Sequence, residues 1–148
     1  MSEEYPFWHA GSAYRITLSH GPDGCSLGLD RDATARLCPK LETLMTQEVT
    51  ITASADWPAL IVYPKGLWDD FAPKLWGLPA MNRAAREIQR KMLGMAMSFD
   101  RSEPLRISED QRGHADLGRE VVVIVFDTGW AEIWGCECYE ATASKAAG

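Results

Sequence analysis

Polar and apolar residues alternate in "AYRITLSH" (13–20), which puts Tyr14, Ile16 and Leu18 on one side and predicts a strand with one covered face. "EVTITASA" (48–55) and "ALIVYP" (59–64) predict two further strands, separated by the "DW" pair. The unbroken apolar run "VVVIVF" (121–126) predicts a strand, and "WAEIW" (130–134) alternates as a half-buried strand does. Between the first strand and the rest, "GPDG" (21–24) predicts a turn, because its residues either preset φ or relax it.

The apolar spacing lengthens to three and four in "MNRAAREIQRKMLGMAM" (81–97). Ala85, Ile88 and Met92, with Met81, then share one helical stripe. Asn82 can cap its start, and residues 83–92 are mostly good helix formers. "PKLETLMTQ" (39–47) predicts a short helix beginning at Pro39, where a missing N–H costs nothing. "LWDDFAPKLWGL" (67–78) is a third helical stretch, blemished by Pro73.

The pattern also recurs. "LIVYPKGLW" (60–68) aligns with "AEIWGCECY" (131–139), each an apolar strand, a breaker and a second aromatic. Upstream lie "EVTIT" (48–52) and "EVVVI" (120–124), and further upstream Asp32 and Asp100. The offset moves from 68 residues between Asp32 and Asp100 to 72 between Glu48 and Glu120, as expected where loops change length and strands do not. The expected organisation is an arm over 1–12, a first half over 13–78, a second over 79–144 and a tail over 145–148. The halves are expected to fold around one pseudo-twofold axis.

The 148 residues are 46% hydrophobic and 24% charged, ordinary values for one domain. Charge changes the picture more: 15 Lys plus Arg against 21 Asp plus Glu leave a net −6. A protein that coated nucleic acid with its whole surface would be basic, so a nucleic-acid site here must be a local patch on an acidic body. No apolar run reaches the ~18 residues that a membrane-spanning helix needs. "MSEEYPFWHAGS" lacks a secretion pattern, and the expected location is the cytoplasm.

Candidate chemistry adds little. Cys25, Cys38, Cys136 and Cys138 are expected as reduced, packed thiols. "GCECY" sets Cys136 and Cys138 on one face of an extended segment, but no second ligand pair accompanies them, so no metal is expected. His9, His20 and His114 are scattered, and Ser108 lacks a base partner. No phosphate-binding glycine loop occurs. Hence no catalytic residue, cofactor or small-molecule substrate is expected. Over 81–91, Arg83, Arg86, Arg90 and Lys91 face only Glu87, which composition alone reads as a solvated face. "GLDRDATARLCPK" (28–40) sets Asp32 and Arg36 four apart. Asp32 could merely fix a turn, or that turn could hold Arg36 toward an acidic partner such as a phosphate backbone; the residues alone leave both open.

The segment from Thr50 to Tyr139 resembles the MraZ family of bacterial transcriptional regulators. The resemblance rests on "LIVYPKGLWDDF", "MNRAAREIQRKMLG", "ISEDQRGHADLGREVVVIV" and "WAEIW", in that order. It includes an RxxxRKxLG helix end from Arg86 to Gly94 and an R-x-H-A-x-L turn from Arg112 to Leu117; the first 30 residues match poorly. It implies an α+β fold of two swapped-hairpin halves, related to the AbrB-type DNA-binding domain, forming a small β-barrel-like core with peripheral helices. It also implies an Asp-x-x-x-Arg loop in each half facing double-stranded DNA, a ring-like homo-oligomer that reads repeated short sites, and nucleoid association.

Carried onto this chain, Asp32 and Arg36 match the first loop, with Ala35 at the family's usual glycine. Arg31 and Lys40 are expected to assist Arg36 on DNA. In the second loop Asp100 matches, but the fourth residue beyond it is Pro104. Arg101 and Arg106 flank that position as weaker contacts, and Glu103 adds a charge that repels phosphate. Asp32 and Asp100 are expected to orient their loops through backbone N–H groups. Arg83, Arg86 and Arg90 are expected on a helix that packs across the halves and helps subunits meet, pairing with acids such as Asp69 and Asp70. The competing expectation is an oligomeric protein-interaction module of the same fold that has lost DNA binding.

Overall fold

The computed structural model describes residues 11–20 and 27–147. The N-terminal half opens with β1 (Gly11–Thr17), β2 (Ser19–His20) and β3 (Leu27–Leu29), followed by two short helices, α1 (Arg31–Ala35) and α2 (Pro39–Met45). A hairpin of β4 (Val49–Ala53) and β5 (Ala59–Pro64) then leads into α3 (Lys65–Trp76). The basic helix is α4 (Arg83–Gly94), whose start is capped by the Asn82 side chain accepting from the Ala85 N–H. The C-terminal half continues with β6 (Met97–Phe99), β7 (Leu105–Ile107) and α5 (Glu109–Ala115). A second hairpin, β8 (Glu120–Phe126) and β9 (Ala131–Gly135), leads into α6 (Cys136–Ala147).

The strands form a six-stranded sheet in the order β1-β8-β9-β5-β4-β6 and a three-stranded sheet β2-β3-β7. The halves exchange strands. β1 of the first pairs antiparallel with β8 of the second, and β6 of the second pairs with β4 of the first. At the centre, Ala59 faces Trp134 and Val62 faces Ala131, so swapping β5 for β9 maps Ala59 onto Ala131. Across β3 and β7, Gly28 faces Arg106, with Leu27 opposite Ile107 and Leu29 opposite Leu105. Swapping these strands maps Asp30 onto Ser108. Both residues cap helices, Asp30 accepting from Ala33 N–H and Ser108 from Gln111 N–H. The α+β pseudo-twofold fold therefore stands, with one difference. The large sheet is open, ending in β1 and β6, and does not close into a barrel.

One core runs between the sheets, built from Leu18, Leu27, Leu29, Leu41, Leu44, Ile51, Leu105, Ile107, Val123 and Ile133 among others. The outer sheet face is covered too. Trp134, Val122, Ile124 and Phe126 pack with Trp57, Trp130, Cys138 and Tyr139. β9 is consequently buried at every position, where the "WAEIW" alternation predicts a half-exposed strand. Its buried Glu132 is compatible with that face because the Trp134 Nε1–H donates to it at 2.9 Å. Cys136 and Cys138 open α6 and so do not share the face that an extended segment would give them. Gly11 and Ser12 are already in β1, and α6 continues to Ala147, where an arm and a tail were expected. The "GPDG" turn, Cys25, His9 and the remainder of the arm lie outside the described residues.

Tyr63 packs among Trp68, Phe71 and Trp130, with ring centroids 5.6, 5.6 and 6.0 Å away. Burial, with a smaller push from Glu132, raises its phenol to about 12. The folded state thus favours the protonated phenol. That contribution is whole below the ordinary phenol value near 10 and is lost as pH rises to about 12. Urea unfolding should show stability declining across this window, and Tyr63→Phe should flatten the decline. An unchanged slope in the variant would assign it elsewhere.

Candidate nucleic-acid interface

The connection from β6 to β7 is a tight turn that Asp100 organises. Its carboxylate accepts from the Ser102 N–H at 2.9 Å, the Ser102 hydroxyl at 2.7 Å and the Glu103 N–H at 3.0 Å. Glu103 answers by accepting the Asp100 N–H at 3.1 Å. These bonds, led by the Ser102 hydroxyl, hold the Asp100 carboxyl below its ordinary range. Arg101 and Arg106 stand exposed on either side of the turn. Arg106 is paired across β7 with Gly28, and residues paired in this way share a sheet face, so a side chain there would crowd the arginine. A Cβ on Gly28 would also come within 3.2 Å of Ser19 Oγ.

The turn is held from outside by an arginine of the other half. Arg31 Nε donates to the Glu103 carbonyl at 2.7 Å and Nη2 to the Asp100 carbonyl at 2.6 Å. Nη1 donates to the carbonyls of Met45 at 2.7 Å and Gln47 at 3.1 Å, at the end of α2. Burial lowers the Arg31 pKa, while the carboxylates of Asp100 and Glu103 counter it. A guanidinium suits this place because its rigid fork carries five donors to several acceptors at once. The strand swap that maps Asp30 onto Ser108 maps Arg31 onto Glu109, so α5 carries no counterpart of this clamp.

The other expected site residues fall differently. Asp32 and Arg36 do not frame a loop between strands: residues 31–35 form α1 and Arg36 is its C-cap. The side chain that caps α1 is Asp30, not Asp32. The repeat that aligned Asp32 with Asp100 is therefore out of step. The segment corresponding to the Asp100 turn precedes β3, where "LSHGPDGCS" (18–26) contains neither Arg nor Lys, and most of it lies outside the described residues. Arg36 is exposed, and no ion pair engages it among the described residues. Lys40 pairs with Asp127. On α4, Arg90 pairs with Glu87 at 2.7 Å, whereas Asp69 pairs with Lys65 at 2.7 Å on its own helix. Arg83 and Arg86 stay exposed, with no ion pair to Asp69 or Asp70.

Two structural residues escaped the sequence reading. One is Arg31, expected to face outward and found turned inward. The other is Gln111, whose amide donates to the Ile51 carbonyl at 3.0 Å and the Met95 carbonyl at 2.8 Å. Its signal was present in the S-x-x-Q spacing of Ser108 and Gln111, a capping box that announces a helix start. His114 donates from Nε2–H to the Trp57 carbonyl, 3.2 Å away, as a packing histidine would. Among the described residues no cluster of three or more His, Cys, Asp or Glu could hold a metal, and no helix is long and apolar enough to cross a membrane.

The fold and the turn define a class: an α+β protein of two strand-exchanging halves, joined at paired short strands and presenting arginines beside a carboxylate-fixed turn. Comparison with known proteins narrows this. The chain is 31% identical over 125 residues to the transcriptional regulator MraZ of Marinobacter nauticus, covering 78% of this chain and 83% of that protein. It is 29% identical over 120 residues to the MraZ of Alkalilimnicola ehrlichii, covering 76% and 79%. The MraZ of Pectobacterium atrosepticum is 35% identical over 79 residues, 52% of each chain. No protein-family model matches the chain. The chain belongs to the MraZ family, as a divergent member.

Proposed function

We propose that this chain is a transcriptional regulator that binds double-stranded DNA in the bacterial cytoplasm, as part of a ring-like homo-oligomer that meets repeated short sites. The observation that carries the reading is the Asp100 turn, a rigid element with two exposed cations, Arg101 and Arg106, on an otherwise acidic protein. Arginine can pair bidentately with a guanine edge or a phosphate. One such turn supplies little affinity, and repetition around an oligomer multiplies it through effective concentration. Arg36, exposed at the end of α1, is a further contact. Lys40 is engaged by Asp127 and Arg31 by four carbonyls, which favours supporting roles for both. The regulatory role follows from the names of the MraZ relatives.

Replacing Arg101 and Arg106 together with alanine should weaken binding on gel shift and reduce the slope of log K against log salt by about two. Unchanged affinity and slope would remove the turn from the interface. A second reading, an interaction module that no longer binds DNA, draws on Glu103 inside the turn and on Pro104 at the position where the family carries arginine. Selection from a random DNA pool separates the two, since only the first enriches a site.

A further inference from the structure

The ten residues before β1, "MSEEYPFWHA", hold three aromatics, Tyr5, Phe7 and Trp8, in a chain that is 9% aromatic. They lie outside the described residues, but the point from which they leave the fold is fixed. β1 runs antiparallel to β8 with Gly11 opposite Phe126, so the N-terminal end of β1 faces the turn over 127–130 that joins β8 to β9. Glycine permits the close approach there. A Cβ on Gly11 would stand 2.9 Å from Ile124 Cγ2 and 3.0 Å from Phe126 Cδ1.

A cavity of about 420 Å³ opens beside that turn. The turn contributes Thr128 and Gly129, α2 contributes Lys40 and Thr43, and the junction of β5 with α3 contributes Pro64 and Leu67. Leu67 is left 36% exposed. Lys40, the one charged residue of the lining among the described residues, already pairs with Asp127. The cavity is thus close to neutral, with apolar walls and a lysine stem, which fits an aromatic side chain better than an ion. One face of β1 leads to it, for Tyr14 contacts Cys38 at the start of α2 and lies near Lys40.

We propose that the chain preceding Gly11 crosses the β8–β9 turn and seats Trp8 in this cavity of its own molecule. Side chains alternate along an extended segment, so Trp8 takes the face that Tyr14 turns toward α2. Phe7 takes the opposite face, on the side of Phe126 and Trp130, whose ring centroids are 4.5 Å apart. The reach is short. Trp8 stands three positions before Gly11, about 10 Å of extended chain. The Gly129 N–H, at the cavity wall, donates to the carbonyl of Phe126, the residue opposite Gly11. An indole against Pro64, Leu67 and the Lys40 stem removes apolar surface from water on both sides. The contact needs neither DNA nor a second copy.

Limited proteolysis of the full chain with chymotrypsin tests the contact, since the protease cuts after Phe7 and Trp8 where they are free. Leu67→Glu puts a charge into the cavity at an exposed helix position. Cleavage after Phe7 and Trp8 should then quicken about tenfold, as the undocked population rises. Cleavage inside the folded body should keep its wild-type rate, and circular dichroism checks that the variant is folded. A second variant leaves the cavity intact. Trp8→Ala should shift the amide NMR resonances of Leu67, Thr128 and Gly129 and leave those of Trp76 and Met81 in place. Equal cleavage rates in wild type and a folded Leu67→Glu variant, or shifts that fall away from the cavity, would overturn the contact. Protection that fades on dilution would place Trp8 in the cavity of another copy and overturn docking within one molecule.

Discussion

Replacing Arg31 with alanine is expected to release the Asp100 turn and to destabilise the fold by about 2 kcal/mol. Four carbonyls, those of Met45, Gln47, Asp100 and Glu103, lose a charged donor together. A hydrogen bond to a charged group contributes about 1.5–3 kcal/mol when protected, and the total is smaller here because water reaches much of the site. The distinctive readout is local. Amide exchange at Ser102 and Glu103 should quicken more than exchange in β8, and DNA affinity should fall although Arg31 itself points inward. Arg31→Lys should rescue little, since a single ammonium cannot span four acceptors in the guanidinium's fork geometry. If the alanine variant loses stability uniformly and binds DNA as well as wild type, Arg31 is a packing residue only.

The second large effect is expected at Gln111, which is wholly buried. Its amide nitrogen serves the carbonyls of Ile51 and Met95, and its oxygen accepts the Ser108 N–H at 3.0 Å. Gln111→Leu is close in size, so little cavity forms, but three backbone groups lose their partner in a site with little water. Each such orphan costs about 1–3 kcal/mol, and relaxation should hold the total to about 3–4 kcal/mol. For a chain of this length that is about 2–4 °C of melting temperature per kcal/mol. Thermal unfolding followed by circular dichroism measures it. A loss below about 1 kcal/mol would mean that the two carbonyls find water or other donors.

The two residues work in opposite directions across the same boundary. Gln111 on α5 reaches back to β4 and to the end of α4, and Arg31 on α1 reaches forward to the turn between β6 and β7. Together they hold the strand-exchanged halves in register, and each sits one or three residues beyond a helix cap that the swap relates. The turn that carries the exposed arginines is thus positioned by a residue about 70 positions earlier in the chain, as the Arg31 to Glu103 separation of 72 records.

Much of the fold was legible. The runs that became β1, β4, β5 and β8 announced themselves by alternation or by β-branched content, and α2 and α4 by Pro39 and Asn82 at their starts. The short helices α1 and α5 were not read as helices, because five and seven residues are too few for a 3.6-residue period to emerge. Their only signals were caps, Asp30 and Ser108. Missing the first cap shifted the internal repeat and made Asp32–Arg36 look like a loop. β9 was misjudged in exposure because its second face is covered by α6 and by aromatic residues from elsewhere in the chain, which alternation within five residues cannot foretell.

The residues alone determined the recurrence of two similar halves and the acidic body, which follow from periodicity and charge, local properties of the chain. The α+β fold and the placing of Asp100 beside arginines are what the resemblance to the MraZ family implied. Tertiary structure decided which arginines face outward. Arg31 and Arg36 lie five residues apart in one short acidic-basic stretch, yet one is turned onto four carbonyls and the other is left open. The difference comes from β3 pairing with β7, which brings the start of α1 against the Asp100 turn. That pairing brings Arg31 within donating distance of carbonyls in the turn and at the end of α2, and its guanidinium donates to four of them.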